Sequence, residues 1–191
     1  MRVQRQPQGC VGARSFLFAA FLGNCAMRTL NPQKIFEHAR KFQWANEFLR
    51  SNHITQETVH SAADPSMVLS AFACELYLKC LLCIEGKTGF DKIHDLKRLF
   101  DMLGPDLRRR IEQVWDADIW QPFRRNMLAQ VEGAGQTRIP RSLSWALKAG
   151  ALAFVKLRYV FEEPKRDIKF ILGDFPEVLK KVILEIHPYW R

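Results

Sequence analysis

The chain has 191 residues, a length that suits one ordinary domain rather than two. Hydrophobic residues make up 48% and include 14 Phe and 5 Trp, so a wholly disordered chain is excluded, and 10 Gly with 9 Pro excludes collagen-like and low-complexity classes. The formal charge of +9 is uneven: residues 1–30 hold Arg2, Arg5, Arg14 and Arg28 with no acid, which leaves the body mildly basic and a weak argument for a polyanionic partner.

The polar, basic start is followed by an apolar run from Phe16 to Leu22, the order of a secretory signal but too short to span a bilayer. Leu22-Gly23-Asn24-Cys25 loosely resembles a lipoprotein cleavage box, with Asn24 where a small residue belongs. Residues 1–26 read as a flexible extension or a false start; a signal or anchor, or an integral part of the fold, are the alternatives. Asn31-Pro32 opens the first helix, with Asn as cap and Pro where its missing N–H costs nothing. Ile35, Phe36, Ala39, Phe42, Phe48 and Leu49 then recur at helical spacing, and Asn52 and His53 end the segment.

Asp64-Pro65 predicts the start of a second helix, which runs from Met67 to about Glu85 and stops at Gly86. It is apolar almost all round, the mark of a central buried helix, and Glu75 and Lys79 in its middle argue against a membrane span. Cys74, Cys80 and Cys83 lie on it; Cys80 and Cys83 make awkward disulfide partners, and reduced core thiols point to the cytoplasm. Cys80-x-x-Cys83 has metal-ligand spacing but no second pair, so no metal or cofactor is expected. A loop over Gly86–Ile93 leads to a short helix from about His94 to Leu103, and Pro105-Asp106 opens the next, through Trp115. Trp120–Val131 reads as helical, Glu132–Ser142 as an exposed loop, and Leu143–Phe161 as one long helix with Leu143, Leu147, Gly150/Ala151, Phe154 and Arg158 on a stripe. Ile168–Leu172 reads as a short extended piece, and Asp174 caps a last helix from Phe175 to about His187. The expected fold is all-α, a bundle of five to seven helices.

Three groups could carry chemistry. Glu75 and Lys79 are spaced i, i+4 within an apolar helix, as are Arg158 and Glu162 near the end of the long one. Buried charges need partners, so the economical packing sets Glu75 against Arg158 and Lys79 against Glu162. The result is either a core ion-pair network or a polar pocket for a phosphate or nucleotide. His94 is the candidate general acid/base, since imidazoles exchange protons near neutral pH; otherwise it serves as a cap or packs on the loop, with Asp95 at the helix N-terminus. Arg108, Arg109 and Arg110, with Arg124 and Arg125, flank Trp115, Trp120 and Phe123, a pattern that either binds RNA or forms solvated helix faces.

Ala71-Phe72-Ala73-Cys74-Glu75-Leu76-Tyr77-Leu78-Lys79, then His94-Asp95-Leu96-Lys97-Arg98-Leu99-Phe100, then Phe154-Val155-Lys156-Leu157-Arg158-Tyr159-Val160-Phe161-Glu162 form a layout that resembles the HEPN (higher eukaryotes and prokaryotes nucleotide-binding) superfamily. The resemblance covers about 31–163 and implies a HEPN-like helical domain within 31–191, often homodimeric. It implies nucleotide or RNA as ligand, with Glu75, Lys79, Arg158, Tyr159 and Glu162 at the site. A nucleotidyltransferase or antitoxin is the protein partner it implies. Many members are metal-independent ribonucleases of toxin–antitoxin or phage-defence systems, which use Arg, four to six residues, then His. None of the five histidines here has an Arg at that distance upstream, so binding without that chemistry is the expectation. A ribonuclease toxin using His94, and a non-catalytic scaffold protein, are the alternatives.

Overall fold

A computed structural model describes residues 30–51, 56–119, 121, 125–126, 128–129, 132–133, 138–159 and 171–191, with the backbone alone for 56–63. The expectations for residues 1–26, for most of Trp120–Val131, and for the segment that holds Glu162 lie outside these residues. Over the described residues the fold is all-α, with no strand. The elements are α1 (Pro32–Ser51), α2 (Gln56–Ile84), α3 (Leu96–Asp101), α4 (Pro105–Ile119), α5 (Leu143–Ala149), α6 (Ala153–Arg158) and α7 (Phe175–Ile186), closed by a 3-10 turn at Pro188–Trp190.

The central helix is α2, which packs against α1, α3, α6 and α7. Residues 64–84 are long and apolar enough to cross a bilayer, yet this stretch is the packed centre of the bundle, with Tyr77, Leu78, Leu81 and Leu82 fully buried. Phe36 and Ala39 of α1, Leu96 and Leu99 of α3, Ile111 and Trp115 of α4, Leu147 of α5 and Phe175 and Leu179 of α7 complete the core. Burying side chains of this size is the main favourable term in folding. Two polar side chains of α1 are buried with partners. Gln43 accepts a hydrogen bond from the Tyr77 hydroxyl at 2.6 Å and donates to Glu177 and Glu47, while Asn46 accepts from the Ser66 hydroxyl at 2.5 Å. Burial pushes the Tyr77 phenol far up and the Cys80 thiol up to about 12, so neither ionises near neutral pH.

Three boundaries differ from the sequence reading. α2 begins at Gln56, not at Asp64, and Pro65 sits inside it. A proline removes one intrahelical bond and crowds the preceding turn, but a 29-residue helix anchored on the core tolerates one such break. α3 begins at Leu96 rather than His94: Asp95 is the cap, its carboxylate accepting from Arg98 N at 2.9 Å, and His94 stays outside. The helix read as continuous over Leu143–Phe161 is broken into α5 and α6 at Gly150–Leu152. The break turns the Ala151 carbonyl toward α3, where it accepts from Leu96 N at 2.8 Å. Of the Ile168–Leu172 segment, 168–170 lie outside the described residues, and 171–172 are non-helical.

Gly86 ends α2 as the sequence indicates. Its φ of 68° is the left-handed conformation, and two bonds close the turn, Lys87 N to Leu82 O at 2.9 Å and Gly86 N to Cys83 O at 3.0 Å. This Schellman geometry favours glycine, since a Cβ raises the cost of the left-handed region. The turn sends the chain back along α2 through the 86–93 loop, which delivers His94 to the α2 surface beside Glu75.

Candidate functional site

The site is built on the middle of α2. Glu75 is 2% exposed, and its carboxylate has two cationic or polar neighbours. Lys79, one turn on, reaches back so that Nζ lies 2.9 Å from Oε1. Nζ also donates to the backbone carbonyl of Asp91 at 2.9 Å, which ties the 86–93 loop to the helix. From that loop His94 places Nδ1 3.0 Å from Oε1 and 3.2 Å from Oε2. A carboxylate beside an ammonium accepts, so the imidazole donates through Nδ1 and the neutral ring keeps its lone pair on Nε2. His94 is about half exposed at 48%, so the ring has one edge on the buried carboxylate and another toward solvent.

The floor of the site is aromatic. Phe72, one turn before Glu75 on α2, stacks on Phe154 of α6 with ring centroids 4.5 Å apart and planes at 17°. The His94 ring lies 6.4 Å from the Phe154 ring, and the Arg158 guanidinium lies over that same ring at 4.3 Å. Arg158 also donates through Nε to the Phe154 carbonyl at 3.2 Å and lies 5.5 Å from the Tyr159 ring. The exposed guanidinium is therefore held by cation–π contact and by the end of its own helix. Imidazole and guanidinium flank one phenyl ring, and the Lys79 ammonium shares the Glu75 carboxylate with the imidazole.

The expected Glu75–Arg158 ion pair is not formed. Glu75 spends its acceptor capacity on Lys79 and His94, and Arg158 stacks on Phe154 instead. The Lys79–Glu162 pairing lies outside the described residues. Tyr159 ends α6 at 47% exposure beside Arg158.

The arginine run of α4 is largely neutralised. Arg109 pairs with Asp106 at 3.1 Å, and Arg110 makes a two-pronged pair with Glu185 of α7 at 2.7 and 2.8 Å. The Arg110 hydrogen bonds hold the Glu185 carboxyl below its ordinary range. Arg108 is half-buried, with Nε lacking a partner among the described residues. Arg125 is exposed; Arg124 lies outside the described residues. In the 132–142 segment, Glu132 accepts from Ile139 N at 2.6 Å and from Arg141 at 2.9 Å, and these hold its carboxyl low. So α4 does not present a bare cationic stripe. Among the described residues no cluster of His, Cys, Asp and Glu could hold a metal ion.

Sequence reasoning missed the Asp91 carbonyl and the role of Phe72 and Phe154. Phe72 precedes Glu75 by three residues and Phe154 precedes Arg158 by four, so each aromatic shares a helix face with a charged site residue. That spacing was the available signal, but both rings read equally well as core. No family model, no curated protein and no solved structure matches this chain.

Proposed function

We propose that this chain is a HEPN-like nucleotide- or RNA-binding domain whose ligand phosphate is held beside the Phe154 ring by Arg158 and by the Nε2–H of His94 in its imidazolium form, Nδ1–H staying on Glu75. The observation that carries the reading is the half-exposed His94 fixed by the buried Glu75 carboxylate. A purely structural ion-pair cluster would have its charges sealed. Here two of the charge-bearing groups open to solvent beside one aromatic ring, as recognition of an anionic ligand requires. The motif layout of Glu75, Lys79, His94-Asp95-Leu96 and Arg158-Tyr159 supports the same reading through its likeness to the HEPN superfamily. On that reading the domain works as a homodimer, beside a nucleotidyltransferase or antitoxin.

A second reading is metal-independent ribonuclease activity, as in toxin–antitoxin or phage-defence systems. The specific observation in its favour is the tautomer: Nδ1–H on a carboxylate leaves Nε2 free to take a proton from a ribose 2′-hydroxyl. Against it stands the missing Arg-x(4–6)-His spacing. One assay separates the two. Purified protein is incubated with end-labelled single-stranded RNA in EDTA, and binding and cleavage are followed together. The binding reading expects retention of intact RNA that weakens about tenfold in His94→Ala. Cleavage that disappears in His94→Ala would replace it with the ribonuclease reading. No binding at low salt would remove both and favour a scaffold role.

A further inference from the structure

A concave surface lies on α1, away from the residues of the His94 site. It is a cleft of about 570 Å³, within the range of small-molecule sites, lined by Glu37, Arg40, Lys41, Trp44 and Glu47 of α1 and by Lys180 of α7. Its wall is Trp44, 66% exposed, whose indole stacks on Phe48 with centroids 5.6 Å apart and planes at 29°. An exposed indole beside a cleft is a flat apolar surface open to a ring.

The charges say what kind of ring. Of the acids on or beside the cleft Glu177 has a cation, while Glu37 and Glu47 are held by neutral amides. Glu177 takes Lys180 at 2.6 Å and the Gln43 amide at 2.6 Å, Glu47 takes the same amide at 2.9 Å, and Glu37 takes Gln33 at 3.0 Å. The two α1 cations at the cleft make no ion pair among the described residues, unlike Arg50 farther along the helix, which pairs with Asp174. Arg40 is held by the Trp190 carbonyl at 3.4 Å and lies over the Phe36 ring, and neither it nor Lys41 has a carboxylate partner among the described residues. Arg40 and Lys41 precede Trp44 by four and three residues, so both project one turn, about 5.4 Å, along the same helix face. That is the separation between a stacked ring and an anionic group one short linker away.

We infer that this cleft binds a small planar aromatic anion, its ring on Trp44 and its anionic group on Arg40 and Lys41. The anion is a phosphate, as in a nucleoside monophosphate, or a carboxylate on an aromatic acid. The inference does not rest on the His94 site.

Titration calorimetry on the full chain tests it with four probes: AMP, indole-3-acetate, adenosine and ribose 5-phosphate. AMP or indole-3-acetate is expected to bind at least tenfold more tightly than adenosine and ribose 5-phosphate, because ring and charge are both read. AMP alone identifies the phosphate as the anion, and indole-3-acetate alone the carboxylate. Lys41→Glu, at an exposed position with no ion pair among the described residues, is expected to weaken binding tenfold or more and to leave the far-ultraviolet spectrum unchanged. Trp44→Ala is expected to do the same, and His94→Ala to change nothing at this site. The inference is overturned if neither aromatic anion binds at millimolar concentration, if adenosine or ribose 5-phosphate binds as tightly as the aromatic anion that does bind, or if Lys41→Glu binds as wild type does. AMP binding lost in His94→Ala but kept in Lys41→Glu would overturn it while supporting the His94 site.

Discussion

Glu75 concentrates the chemistry of the molecule in one carboxylate. It is buried at 2% exposure, and it neutralises Lys79 while fixing the ring of His94. Removing one member of a buried pair leaves the other charge uncompensated, at a typical cost of 3–5 kcal/mol. Lys79 keeps the Asp91 carbonyl as a second acceptor, so Glu75→Gln should cost about 3 kcal/mol, at the lower end. His94→Ala, which removes a half-exposed ring, should cost about 1 kcal/mol or less. Chemical denaturation of the two variants checks the order, and a Glu75→Gln protein as stable as His94→Ala would show that the pair is not desolvated. A second carboxylate gives a pH signature. Glu185 is held below its ordinary range by Arg110, so its contribution to stability is present above the unfolded carboxyl range and is lost as the pH falls through the lower folded value. The pair is partly exposed, so the contribution is about 0.5–1 kcal/mol. Wild type should therefore be more stable than Glu185→Gln at pH 7, and the difference should close in urea melts taken below about pH 4.

At the scale of elements, Pro65 is a local cost inside a helix that tertiary contacts sustain. It is exposed, and its ring denies a bond to the turn before it. Pro65→Ala should restore that bond and raise stability by about 1–2 kcal/mol, seen as a higher thermal midpoint with unchanged helix content. A lower midpoint would mean that the N-terminal turns of α2 are bent at Pro65 to meet their neighbours. The same residue shows where sequence reasoning reached its limit. A proline after an aspartate is the strongest local start signal, so the turns before it went unread. Gly86 was legible because a left-handed turn asks for glycine whatever the surroundings. The break between α5 and α6 was not, because the apolar stripe from Leu143 to Arg158 runs through it at helical spacing. What separates the two helices includes a hydrogen bond from Leu96, on another element, to the Ala151 carbonyl. The Glu75–Lys79 pair was legible from i, i+4 spacing alone. The His94 contact was not, because it depends on the path of a loop that carries no periodicity.

The whole molecule carries +9, and the structure decides how much of that charge a polyanion could use. The densest basic run, Arg108–Arg110, faces acids of its own: Asp106 takes Arg109 and Glu185 takes Arg110. Releasing those arginines to a phosphate would first break their pairs, which removes much of the gain. Arg158 is different. It is exposed and set by a ring rather than by an acid among the described residues, so a phosphate there displaces only counterions and water. Each phosphate neutralised on a single strand contributes about 0.7 to the slope of log K against log salt. If the proposed site is the one that RNA uses, Arg158→Ala should weaken binding and flatten that slope by about 0.7. Arg109→Ala should leave the slope unchanged within about 0.2, since Arg109 already has its anion. Fluorescence anisotropy of a short labelled single-stranded RNA, titrated at four salt concentrations, measures both. A slope that falls with Arg109→Ala and not with Arg158→Ala would move the interface to α4, and with it the burden of recognition from an ordered aromatic-backed site to a screened surface charge.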